Sequence, residues 1–377
     1  MMPMKRQFML LVGLGLLLSA FLFNMMRAPK GPDFTIEMTR FTSLRNETQD
    51  LFISYLDRNL AALCPILTSL LRTNFTGDIV ILHASSNANE IQAIHQRFPT
   101  VQFVHQRALV PAKTPSSEPV VHRFLAMYMY LFIYGYDTPL DPNDLRLISA
   151  IYPPNNNSSS NQGGIPFDFA MRRRRKPKYR YVMTQDASDS IYQSNPSDFL
   201  QEHLGHSIER YGRSLNLIAA SEGLTYDKET EWGLENLHES YPYLATHVEQ
   251  KMIMNAGTIA GTQQRVMDVM FTDYFMSRAS SLSNPDQAAY NAMMWYLSFG
   301  DEVLFTQACS GWGTMLGTVG QSKFKDQLFR WRPVVWRDRR VLVECKEKPE
   351  GWVAPVIIHQ YNRDPELMKA IKEDTQC

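Results

Sequence analysis

Four continuous runs of largely apolar residues set the frame for this 377-residue chain: Gly77–Leu82, Tyr181–Gln185, Leu215–Ala220 and Met252–Gly261. Because they are continuous rather than alternating, they suit strands buried on both faces, as in a parallel sheet covered by helices. Helical spacing fills the intervals. Leu60, Leu63, Ile66, Leu67, Leu70 and Leu71 recur at helical intervals over Asn59–Arg72, and Glu90–Arg97, Val120–Tyr136, Gln264–Met276 and Gln287–Leu297 read as further helices. Val101–Val104 and Ala354–Arg363 read as two more strands. Alternating strands and helices predict an α/β fold whose central sheet is mostly parallel and flanked by helices on both sides.

The N-terminus departs from this pattern. Phe8–Met26 is a 19-residue run without a charge, bracketed by Lys5 and Arg6 before and Arg27 and Lys30 after. As a helix it is about 28 Å long, close to the hydrocarbon thickness of a bilayer. It lacks the short apolar region and small-residue cleavage site of a removed signal peptide, so an uncleaved anchor is expected. The expected order is a cytosolic tail over 1–7, a transmembrane signal anchor over 8–26, a stem over 27–50 with a first strand near Phe41, and a luminal domain over 51–377. Sequons at Asn46, Asn74, Asn156 and Asn157 fit that topology. Cys64, Cys309, Cys345 and Cys377 lack metal-ligand spacing; a Cys309–Cys345 bridge would suit an oxidising lumen, but spacing leaves the pairing open.

Lys plus Arg balances Asp plus Glu at 38 each, which gives no basic field for nucleic acid. The span 153–176 opens on Pro, Asn, Ser and Gly and ends in Arg172-Arg173-Arg174-Arg175-Lys176, so a disordered, solvated basic loop is expected there.

The chemistry gathers at strand ends. Tyr181–Gln185 breaks off into Asp186-Ala187-Ser188-Asp189, and Leu215–Ala220 into Ser221-Glu222-Gly223. Asn255-Ala256-Gly257 interrupts Met252–Gly261, and the last strand delivers His359 and Arg363. Ligands of open α/β sheets collect at the carboxyl ends of strands. Two carboxylates and an imidazole there suit a divalent cation such as Mn2+ or Mg2+. Each group also has a plain structural reading: an Asp N-cap, a tight Asn-Ala-Gly turn, a histidine bonded within the core, and Asp286 at the positive end of a helix.

The order of these pieces resembles the metal-dependent nucleotide-sugar glycosyltransferases of the GT-A, Rossmann-like fold, many of which are Golgi type II membrane proteins. The resemblance covers about Asp78 to Arg363. It implies that Asp186 and Asp189 hold metal against the donor diphosphate with His359 completing the shell. It also implies that Asn255-Ala-Gly257 lies near the donor sugar, and that Asp286-Gln287 with Asn291 opens a helix at the site. The Asn-x-Gly and Asp-Gln pairs are similar to those of retaining, glycogenin-like members. The chain departs from that pattern in its Asp-x-x-Asp spacing and in ending His-Gln-Tyr-Asn-Arg where those relatives carry Lys-Pro-Trp.

The implied reaction moves a hexosyl or pentosyl group from a nucleotide-diphosphate sugar, a UDP-sugar first, to a hydroxyl of a glycan or glycoprotein. Arg363 would face the diphosphate. Glu222 or Asp286 would act as base if the reaction inverts; Asn255 or Gln287 would lie beneath the sugar if it retains. Two other readings are a non-catalytic luminal carbohydrate- or nucleotide-sugar-binding protein and a phosphodiester hydrolase. The hydrolase would need a second metal set, and His203, His206, His238 and His247 show no such pattern.

Overall fold

The computed structural model describes residues 49–56, 59–106, 109, 119–138, 175–229, 233–280, 285–320 and 332–377. The anchor over 8–26, the strand expected near Phe41 and most of the 153–176 loop lie outside these residues. Among the described residues no helix is long and apolar enough to cross a membrane. The chain divides into two compact units. One comprises Met1–Thr42, Pro111–Pro115 and Thr138–Lys176, of which residues 138, 175 and 176 are described; the other, Ser43–Val110, Ser116–Asp137 and Pro177–Cys377, carries the fold below.

That unit opens with β1 (Gln49–Leu56), helix α1 (Cys64–Arg72), β2 (Asp78–His83), α2 (Ala88–Arg97), β3 (Gln102–His105), α3 (Pro119–Tyr134) and β4 (Tyr179–Gln185). The sequence pattern leaves β1 unassigned because Asp50 and Ser54 interrupt its apolar run. Tertiary contacts satisfy both: Arg180 clasps the buried Asp50 carboxylate from Nε at 3.0 Å and Nη2 at 2.8 Å, and Ser54 Oγ donates to Gln185 O. β1 therefore starts at Gln49, inside the span expected to be stem.

Beyond β4 come β5 (Ser190–Tyr192), α4 (Pro196–Leu200), α5 (Ser207–Tyr211), β6 (Leu217–Thr225), α6 (Gly233–Ser240), α7 (Pro242–Val248) and β7 (Met252–Thr262). Then follow α8 (Gln263–Ala279), α9 (Asp286–Tyr296), β8 (Val303–Thr306), β9 (Gly313–Met315), β10 (Val334–Arg337), β11 (Arg340–Glu344), β12 (Trp352–Val353), β13 (Ile357–His359) and α10 (Pro365–Thr375). The central sheet has seven strands in the order β3-β2-β1-β4-β7-β6-β8. All its pairings are parallel except those of β7, which runs against both β4 and β6. The mostly parallel α/β expectation holds, with one reversed strand.

Helix α1 and the faces of β1, β2 and β6 bury Phe52, Leu63, Ile66, Leu67, Ile79, Ile81 and Ile218 in one cluster that also holds Trp312. Each such side chain contributes roughly 1.5–3 kcal/mol on burial. Expected Ala354–Arg363 shortens to the three residues of β13, because Gln360 adopts a left-handed φ of 60° and turns the chain out of the sheet.

β13 lies between β5, antiparallel, and β9, parallel. Alternation decides which way its side chains go. Ile357 joins the cluster around Trp312, whereas Ile358 packs with Leu316, Tyr361 and Leu367 in a second one. His359 thus shares the face of Ile357. Asp364 caps α10 by accepting from Glu366 N and Leu367 N, both at 3.0 Å. Two disulfides close the fold and decide the pairing that spacing left open: Cys309–Cys345, and Cys64–Cys377, which ties α1 to the chain end.

Candidate metal centre

Two acids of one turn, Asp186 and Asp189, meet the sequence-remote His359 beyond the carboxyl end of β4. His359 Nε2 lies 3.6 Å from Asp186 Oδ2 and 3.3 Å from Asp189 Oδ1, and one ligand atom from each residue falls within 4.8 Å of the others. His359 is 2% exposed, and its Nδ1 is 3.2 Å from Met315 Sδ. Asp189 Oδ1 is buried without a hydrogen bond, although it is close to the imidazole. An orphaned carboxylate oxygen beside an imidazole and a second carboxylate fits the mixed oxygen and nitrogen donor set of Mn2+ or Mg2+. Burial alone would lower the His359 pKa; the charges of Asp189, Asp186 and Glu222 outweigh it and raise it.

The turn between the two acids is held from below. Gln185 Nε2 donates to Ser190 Oγ at 2.8 Å and to Thr258 Oγ1 at 2.9 Å, and Tyr361 N donates to Asp189 O at 3.3 Å. Asp186 N donates to Gly257 O at 2.8 Å. A glycine is required at 257, because a β-carbon there would stand 2.5 Å from Asp186 Oδ2 and 2.8 Å from His359 Cε1. The structure therefore makes Gly257 the floor of the acid–histidine group.

A hydrogen-bonded path leads from this floor to a second carboxylate. Gly257 N donates to Asn255 Oδ1 at 2.9 Å, and Asn255 Nδ2 donates to Glu222 Oε1 at 3.0 Å. Gln287 Nε2 donates to the same Glu222 oxygen at 3.0 Å. Asn291 fastens α9 to β7: its Oδ1 accepts from Met254 N at 2.7 Å, and its Nδ2 donates to Met254 O and Gln287 O, each at 2.8 Å. Burial pushes the Glu222 pKa up, with the two amide donors opposing that rise. Neither Glu222 nor Asn255 lies at a strand end as expected. β6 continues past Glu222 to Thr225 through irregular pairing with β7, and Asn255 is near the amino end of the reversed β7.

The cation at the site is Arg123, which the sequence pattern shows only as an interruption in an apolar helix. Arg123 Nη1 pairs with Asp186 Oδ1, and Nη2 pairs with Asp286 Oδ2 at 2.8 Å. Burial raises the Asp286 pKa, Arg123 opposes the rise, and the nearby Asp186 charge adds to it. Asp286 is thereby committed to an ion pair rather than standing free as a base.

Arg363, expected to face a diphosphate, is exposed in the turn after β13, and its side chain makes no ion pair or hydrogen bond with the site among the described residues. The reversal at Gln360, which buries Tyr361, leaves Arg363 toward solvent. A signal for Arg123 was available: a lone arginine one turn into Val120–Tyr136 must find a carboxylate if that helix is buried.

No protein-family model matches the sequence, and no curated protein matches it. Among solved structures it is similar to glucosyl-3-phosphoglycerate synthase of Mycobacterium tuberculosis, at 10% identity over 69% of this chain and 70% of that one, with a TM-score of 0.33. The same enzyme in complex with Mn2+, uridine diphosphate and glucosyl-3-phosphoglycerate matches at 12% identity over 69% and 70%, again with a TM-score of 0.33. Core-mannan synthase A of Aspergillus fumigatus, in its Mn/GDP form, matches at 9% identity over 74% of this chain and 80% of that one, with a TM-score of 0.33.

Proposed function

We propose that this protein is a glycosyltransferase that moves a hexosyl or pentosyl group from a nucleotide-diphosphate sugar, a UDP-sugar, to a hydroxyl of a glycan or glycoprotein. The observation that carries the reading is the convergence of Asp186, Asp189 and His359 at the carboxyl edge of the sheet, above a glycine that only a bare backbone can supply. When bound, Mn2+ or Mg2+ would neutralise charge building on the leaving diphosphate. The chain's own residues do the rest. Asp186, Asp189 and His359 hold the ion, and Arg123 fixes one Asp186 oxygen while its positive charge adds to the local field. Glu222 keeps one carboxylate oxygen saturated by Asn255 and Gln287, which aims the group.

With Asp286 paired to Arg123, Glu222 is the stronger candidate to take a proton from an acceptor or to steady a cationic sugar centre. A hydrolase using paired metal sets is disfavoured, since Asp186, Asp189 and His359 form the one such group among the described residues. Placement as a single-pass type II protein of the Golgi membrane, anchored by 8–26, completes the proposal.

Thermal-shift titration of the purified protein against nucleotide sugars, with and without Mn2+, tests the reading, followed by detection of released nucleotide. A Tm rise that needs both components, together with nucleotide release, is expected. Binding without release would turn the assignment to a non-catalytic nucleotide-sugar-binding protein.

A further inference from the structure

The turn between α1 and β2 carries the sequence Thr73-Asn74-Phe75-Thr76-Gly77. It is pinned by its backbone and by one ring. Asn74 N donates to Leu71 O at 3.3 Å, Asn195 Nδ2 donates to Asn74 O at 3.3 Å, and Gln49 Nε2 donates to Thr76 O at 3.4 Å. The Phe75 side chain is buried, and it packs so closely that a β-carbon on Gly77 would stand 2.4 Å from Phe75 Cζ. Asn74 itself, in the left-handed region at a φ of 60°, is exposed, and its side-chain amide makes no hydrogen bond among the described residues. Thr76 is exposed beside it. All four cysteines are joined in disulfides, the state that an oxidising compartment maintains.

We infer that Asn74 is a site of N-glycosylation, and that its glycan stands on the edge of the sheet opposite the metal centre. The inference rests on the luminal placement proposed above but not on the reaction. β2 runs parallel to β1 and β4, so Asn74, before the amino end of β2, and Asp186, after the carboxyl end of β4, lie at opposite edges. The six residues of β2 alone separate those edges by about 20 Å. In the modification, Asn74 Nδ2 forms a bond to the anomeric carbon of a lipid-diphosphate-linked oligosaccharide. The bond from that carbon to the lipid diphosphate breaks, the diphosphate leaves with the electron pair, and the amide loses one proton to base. The polar, outward Asn74 and Thr76 accept this addition without disturbing the buried Phe75.

The test is expression of the full chain in a eukaryotic secretory host, enzymatic release of N-glycans in heavy-oxygen water, and peptide mapping. The expected result is heavy-oxygen aspartate at position 74, lost in Thr76→Ala and kept in Thr76→Ser. Asn74→Gln should bind Mn2+ within about twofold of the parent. An unlabelled Asn74 in a chain labelled at Asn46, Asn156 or Asn157 overturns this inference and leaves luminal placement standing. No label at any sequon, with free thiols in place of the disulfides, overturns both.

Discussion

Gly257 backs directly onto Asp186: Asp186 N donates to Gly257 O at 2.8 Å, and a β-carbon on Gly257 would stand 2.5 Å from Asp186 Oδ2. The acid, the histidine beyond it and the asparagine below it are thus one assembly, in which the space of a single methyl group decides the geometry. Gly257→Ala should displace the carboxylate and weaken Mn2+ binding at least about tenfold, the effect of about 1.4 kcal/mol. Isothermal titration with Mn2+ alone reads this directly; an unchanged affinity would show that Asp186 has room to yield.

His359→Ala should abolish most of the Tm increment that Mn2+ confers. Because the ring is buried, the metal-free Tm will also fall, so the increment is the quantity to compare. Metal binding requires a neutral imidazole, and the acidic neighbours raise the His359 pKa. Mn2+ affinity should therefore weaken as pH falls through that raised value, and the pH dependence should flatten in the variant.

Arg123 holds two carboxylates in a largely buried setting, so losing it strands both. Arg123→Met should cost about 3 kcal/mol of stability in a urea titration. Adding Asp286→Asn should restore part of that loss, because one of the stranded charges is then gone. Strict additivity of the two changes would argue against the pairing.

Glu222→Gln separates chemistry from stability. Burial raises the Glu222 pKa above its ordinary value of 4.5, so folding favours the protonated acid. That stability is fully present below about 4.5 and is lost as pH rises through the folded value. The variant carries no such charge, so its Tm relative to the parent should improve between acidic and neutral pH. Turnover should drop by about 100-fold or more if Glu222 handles a proton.

The Cys64–Cys377 bridge closes a sequence separation of 313 residues, yet His359 is held independently by β5 and β9. Cys64→Ala with Cys377→Ala should lower unfolding stability by about 2–5 kcal/mol. The Mn2+ increment in Tm should survive, since β13 keeps its neighbours. Loss of that increment would show that the chain end, not the sheet, positions the histidine.

What the sequence by itself determined was the element plan and the acidic turn. Continuous apolar runs such as Asp78–Leu82 and Tyr181–Gln185 have one economical solution, strands covered on both faces, and a run of that kind ending in Asp186 and Asp189 puts acids at a sheet edge. A Cys309–Cys345 bridge was legible only as one option, because cysteine spacing does not choose among pairings. The rest depended on which elements become neighbours. β1 forms although Asp50 and Ser54 interrupt its apolar run, because Arg180, remote in sequence, neutralises Asp50. Arg363 turns away from the site because one left-handed residue, Gln360, redirects the chain, an event invisible in hydrophobic pattern. The partnership of Arg123 with Asp186 and Asp286, the clasp of Glu222 by Asn255 and Gln287, and the bond from Cys64 to Cys377 all join residues far apart in the chain. Only tertiary structure decides these, because periodicity reports which face of an element is buried but not which other element covers it.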